Sequence, residues 1–225
     1  MWLSNSSVGR KVVMSVTGIA LILFLTFHCA MNVVALISPS GYNWICEMLG
    51  ANWYAVAATM VLACLFVIHL VYAFWLTWQN RKARGNERYA VTDKPKTVEW
   101  ASQNMLVLGI IVVLGLCLHL FNFWAKMMLP ELNGTTDLQV LSNATNGIYH
   151  IKQTFSNVIY VVLYLIWICA LWFHLTHGFW SALQTLGWNN RIWLDRWKCI
   201  GNIYTTIICG CFALVVIVFY VKSLL

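Results

Sequence analysis

Polar and charged residues fall almost entirely between five long apolar runs: residues 12–37, 52–78, 100–128, 155–183 and 200–221. A helix needs about 20 mostly apolar residues to cross the hydrocarbon core. Lipid offers the backbone no hydrogen bonds, so such runs predict helices. The pattern predicts an all-α membrane protein, a five transmembrane helix bundle forming one domain over residues 1–225. Turn chemistry separates the runs: Ser38-Pro39-Ser40-Gly41, the basic stretch 81–99, the polar stretch 130–146 and residues 187–198. The first run, preceded by Arg10 and Lys11, is too long for a signal-peptide core and is expected to be a span.

Composition agrees. Only 9% of the residues are charged, against about a quarter in soluble domains. Thirteen tryptophans suit a chain with two membrane–water boundaries. The net charge of +7 is therefore no nucleic-acid signal, and its placement instead orients the chain. Eleven of the fourteen basic residues (Arg10, Lys11, Arg81, Lys82, Arg84, Arg88, Lys94, Lys96, Arg191, Arg196, Lys198) fall on one side of the predicted topology. Lys126, Lys152 and Lys222 fall on the other. By the positive-inside rule the N-terminus is cytoplasmic and the C-terminus outside. Most of the eight cysteines lie within the apolar runs and read as small hydrophobes. No C-x-x-C or C-x-x-C-H motif is present, so any haem would be held without covalent attachment.

The chemistry lies in four histidines, one in each of the first four runs: His28, His69, His119 and His174. Ionisable residues are costly in a membrane span and usually face the bundle interior. Two imidazoles can hold one haem iron from opposite sides, so four suffice for two haems. Helix direction sets depth. His28 and His119 lie towards the outer face, and His69 and His174 towards the cytoplasm. Ligands to one iron must share a depth, which pairs His28 with His119 and His69 with His174. The two irons would then stack roughly 10–20 Å apart. His177, one turn from His174, competes for the fourth place. His150 is expected as a solvated loop residue. No Asp or Glu falls within a run, which disfavours a carboxylate proton relay or ion-coupled transporter.

The histidine contexts carry a resemblance. Thr17-Gly18 precedes Phe27-His28 with Asn32 after it, Ile68-His69-Leu70-Val71-Tyr72 leads into the basic loop, and Leu118-His119 lies deep in the third run. Phe173-His174-Leu175-Thr176-His177-Gly178-Phe179-Trp180 is similar to an H-x-x-x-G-[FL]-[WY] motif whose first histidine is the ligand. Along nearly its whole length the chain resembles the five-helix, two-haem cytochrome b membrane anchor of succinate dehydrogenases and fumarate reductases. The resemblance implies two haem b groups ligated by His28, His119, His69 and His174. It implies a flavoprotein subunit and an iron–sulfur subunit docked on the basic cytoplasmic loops, and a quinone, menaquinone above all, as substrate. It implies a bacterial cytoplasmic membrane location. Haem propionates would be met near Ser15 and Trp100, with Arg10 and Gln103 as further candidates. Around Gln184-Thr185 a basic residue found in some members is replaced. Glu47, the lone carboxylate of the first outer loop, is the candidate for handling the quinol proton.

Two alternatives stay open at this point. One is the haem b subunit of another respiratory complex, such as a hydrogenase, formate dehydrogenase or nitrate reductase. The other is a haem-free scaffold or transporter whose histidines are interhelical hydrogen-bonding groups.

Overall fold

A serine starts the first helix. The Ser6 hydroxyl accepts the Gly9 amide at 2.9 Å and satisfies one of the N–H groups that every helix start leaves open. Helix α1 then runs Ser7–Ile37. Ser38 both ends α1 and caps α2 (Pro39–Met48): its amide donates to the Val34 carbonyl at 2.8 Å and its hydroxyl accepts from Gly41 at 3.1 Å. Pro39 sits in the first turn of α2, where a missing N–H costs nothing. The Ser-Pro-Ser-Gly turn is thus a corner between two helices.

The computed structural model describes residues 6–50, 52–84 and 99–225. The further elements are α3 (Trp53–Arg84), α4 (Trp100–Gln103), α5 (Met105–His119), α6 (Ala125–Leu132), α7 (Leu138–Ala144), α8 (Gly147–Phe155), α9 (Val158–Thr185) and α10 (Trp193–Leu224). A π-helical turn, Leu120–Trp124, joins α5 to α6. The described residues are all helix and connection, without a strand. Five stretches are long and apolar enough to cross a membrane: Ser7–Ile37, Trp53–Ala83, Met105–Leu132, Val158–Thr185 and Trp193–Leu224. The protein is a multi-pass helical membrane protein.

Three differences from the sequence expectation have physical causes. Helices α1, α3 and α10 extend well past the apolar runs, because i→i−4 bonding continues in water once lipid has nucleated the helix. The third run is broken at Asn104, whose side chain turns back to the Trp100 carbonyl at 2.9 Å, so the long span starts at Met105. The connections expected on the outer side are helical, and His150 on α8 is not solvated: it is 4% exposed.

Helix α9 is the axis of the packing. It lies against α1, α5 and α10, and α3 is held by α1. The diagonals of this arrangement, α1 with α5 and α3 with α9, make at most marginal backbone contact among the described residues. Large apolar side chains cover the outward faces, Leu23, Met60 and Leu114 each being more than 60% exposed, as lipid-facing surfaces require.

Candidate haem-binding centres

The histidines stand on helices that make at most marginal backbone contact among the described residues, α1 with α5 and α3 with α9. In the layer expected to be the outer one, His28 projects from α1 and His119 ends α5. Their ring centres are 5.7 Å apart with planes at 88°. Two metal–imidazole bonds of about 2 Å in line would set ring centres about 6 Å apart, close to the spacing seen. Aromatic rings wall the pair. Phe24 stacks on His28 at 5.4 Å and Phe212 stands 5.9 Å from it, while Phe123 and Trp167 lie 5.1 and 5.6 Å from His119. The Trp167 indole occupies the place a side chain at Gly115 would take, since an added Cβ would collide with its ring. Its Nε1–H donates to the Val112 carbonyl at 3.0 Å.

The π turn begins directly after His119. Such turns insert one residue into an α-helix and concentrate at functional sites. Here the extra residue lets His119 face His28 while Asn122, 1% exposed, also turns inward towards Tyr164 (3.4 Å).

In the inner layer His69 projects from α3 and His174 from α9. A Cβ at Gly18 would lie 3.4 Å from His69 Cε1, and one at Gly109 3.9 Å from His174 Cε1. The first glycine admits the α3 ring tightly, and the second leaves an ordinary contact. His69 Nδ1 is 3.1 Å from the Thr17 hydroxyl, which is itself 2.9 Å from the Val13 carbonyl. A carbonyl only accepts, so the Thr17 O–H donates to it and its oxygen accepts the His69 Nδ1–H. Nε2 of His69 is left as the bare nitrogen, the tautomer a metal ligand needs. His174 Nδ1 is buried with no hydrogen-bond partner among the described residues.

The two layers keep one register. Gly18 precedes His28 by ten residues, and Gly109 precedes His119 by ten. At 1.5 Å per residue the layers lie about 15 Å apart along both helices. Among the described residues no three His, Cys, Asp or Glu side chains gather into a metal cage. At His28 and His119 the two facing imidazoles suit an iron whose other four ligands come from its own macrocycle, and the aromatic walls suit the faces of such a ring. The residues present fit haem.

The remaining candidates separate by depth. Ser15, 6% exposed, lies one turn before Gly18 on the face that meets His69. Arg10 lies over the Trp75 ring at 5.7 Å. Trp100 stands 5.0 Å from Phe173, the neighbour of His174. Gln103 ends α4 at the same side, with its side chain exposed. Glu47 is exposed on α2 at the opposite end. His177 turns away from the His69 layer to Glu99 (3.6 Å), which also pairs with Lys198 (3.3 Å). At Gly178 an added Cβ would meet nothing within 4 Å, so no neighbouring helix approaches there. Of the basic stretch 81–99, residues 85–98, with Arg88, Lys94 and Lys96, lie outside the described residues.

Sequence reasoning passed over Gly109, Gly115, Trp167 and the role of Thr17. The glycines were the available signal: each stands in an otherwise bulky apolar run. Comparison with protein-family models, curated proteins and solved structures finds no match for this chain.

Proposed function

We propose that the protein is the dihaem cytochrome b subunit of a succinate:quinone oxidoreductase. The observation that carries this is the His28–His119 pair, with ring centres 5.7 Å apart, together with His69 and His174 on two further helices about 15 Å away in depth. His28 and His119 would hold the outer haem, His69 and His174 the inner one. When bound, each haem supplies a low-spin iron that exchanges one electron, with no open position for oxygen. The chain's own residues orient the ligands through Thr17, exclude water with Phe24, Phe123 and Trp167, and leave room at Gly18 and Gly109. Ser15, Trp100, Arg10 and Gln103 stand at the end where inner-haem propionates would emerge.

On this reading the subunit does no chemistry on succinate. It passes electrons between an iron–sulfur subunit, docked with its flavoprotein on the basic side, and a quinone such as menaquinone at the outer layer. Glu47 would exchange the quinol proton with the outer solvent. The subunit lies in a bacterial cytoplasmic membrane with its N-terminus inside.

The test is a haem count with a reduced-minus-oxidised spectrum on the natively purified complex, joined to a succinate- or fumarate-linked quinone assay. Two low-spin b-type haems and quinone-linked turnover are expected. One haem or none would falsify the ligand assignment. Two haems with hydrogen or formate as the electron donor would move the chain to another respiratory complex.

A further inference from the structure

The buried histidine of the outer end has no part in the four-histidine arrangement. His150 is 4% exposed on α8. Its Nε2 is 2.9 Å from the Asn143 carbonyl, which can only accept, so Nε2 carries the proton. Nδ1 is therefore a bare base. It is buried and has no hydrogen-bond partner among the described residues.

It is not alone. Thr154 lies one turn further along α8, 2% exposed, with an unpartnered Oγ1. Asn122 Oδ1 and Trp124 Nε1, both in the π turn after His119, are likewise buried without a partner among the described residues. The two elements pack together through Phe123 and Phe155, whose rings are 6.1 Å apart. Tyr164 joins them to the outer pair: its ring lies 5.1 Å from Phe155 and 6.3 Å from His119, and its hydroxyl is 3.4 Å from Asn122 Nδ2. Each unsatisfied buried polar atom costs about 1–3 kcal/mol. Several gathered on two packed elements mark a place for ordered water or a polar ligand.

We propose that His150 is the internal proton acceptor of the outer quinol site, reached through water held by Thr154 and Asn122. This rests on the quinone reading above. Oxidation of one quinol releases two electrons and two protons. The O–H bond of one hydroxyl breaks, its proton goes through water to His150 Nδ1, and the second proton follows once the first has left for the outer solvent. The haems that His28, His119, His69 and His174 would hold are the oxidant on this reading, each able to take one of the two electrons. Glu47, exposed on α2, is the group that meets solvent, and α2 touches α8 where Tyr42 and Cys46 crowd Gly147.

The experiment uses the purified complex with a short-chain naphthoquinol as probe. His150→Ala should lower kcat for quinol oxidation by about a hundredfold, the lower range of general-base catalysis, with KM and the haem spectrum held. Added imidazole should restore part of the rate. His150→Gln, which keeps most of the volume, should show the same loss without rescue. Wild-type kcat in either variant overturns the proposal and leaves the haem assignment standing. Loss of haem in both variants makes His150 a packing residue and overturns it too. A wild-type complex that holds two haems yet has no quinol activity removes the quinone reading itself.

Discussion

Thr17 sets the protonation of His69. By accepting the Nδ1–H at 3.1 Å it fixes both the tautomer and the ring's rotation, the task a metal ligand's hydrogen-bond partner performs elsewhere. Thr17→Val keeps the shape and removes the acceptor. Inner-haem affinity should fall by roughly 10–100-fold, checked by haem titration into the stripped protein, with the outer signal unchanged. His150 gives a second test of one residue. Burial pushes its imidazole below the usual 6.5, the Asn143 carbonyl offsets part of this, and Lys126 pushes further down. The folded state therefore resists protonation. Well above pH 6.5 both folded and unfolded forms are neutral and the residue has no pH effect. As pH falls below 6.5 the unfolded chain protonates first, so stability drops until the folded imidazole titrates in turn. His150→Gln should lose this part of the acid sensitivity, seen as a smaller difference in Tm between pH 7.5 and pH 5.5.

At the scale of elements, the helices were legible because lipid demands unbroken apolar runs, while their ends and breaks were not. Gln79 to Ala83 continue α3 beyond the run, since nothing in a polar turn of good helix formers stops it. The π turn falls in Leu120-Phe121-Asn122-Phe123-Trp124, where a mostly apolar stretch hides the change of pitch. Helix α8 did leave a signal. Ile148, Ile151 and Phe155 recur at three and four residues, and all three are buried, which would have placed His150 on a packed helix. That His28 and His119 fall in one layer was legible from helix direction, and their lateral approach was not, because it depends on which helices pack. Gly115 illustrates that dependence. It lets the Trp167 indole sit against α5, and the ring cannot retreat without losing its bond to Val112. Gly115→Ala should destabilise the detergent-solubilised protein by about 1–3 kcal/mol, the usual cost of overpacking, and should disturb the outer haem spectrum more than the inner. A Tm within a degree of wild type would mean that α5 and α9 separate freely.

For the whole molecule, orientation decides which layer meets the soluble partners, and charge alone argues for it so far. The end carrying Arg81, Lys82, Arg191, Arg196 and Lys198 is the expected cytoplasmic face. Lys198 is paired with Glu99 there, Arg196 lies over Trp193 at 5.1 Å and Lys82 over Trp78 at 5.5 Å, while Arg81 and Arg191 stand on exposed positions for a partner. If the topology were inverted, the His28 layer and α8 would face the cytoplasm and the proton would leave on the wrong side. Cysteine accessibility separates the two cases. Cys199 is exposed near the basic end. Leu138, 81% exposed at the start of α7, offers a site at the other end for Leu138→Cys. Background is low, because the exposed Cys64, Cys117 and Cys169 lie well inside the apolar runs and lipid covers them, whereas Cys199 stands beside Lys198 ahead of the run 200–221. Burial lifts the Cys46 thiol to about 11, so it is almost wholly protonated at pH 7 and slow to alkylate. A membrane-impermeant maleimide should label Leu138→Cys in right-side-out vesicles and leave Cys199 untouched, with the reverse in inverted vesicles. Labelling of Cys199 from the outside would turn the molecule over, and the basic face could then no longer receive an iron–sulfur subunit from the cytoplasm.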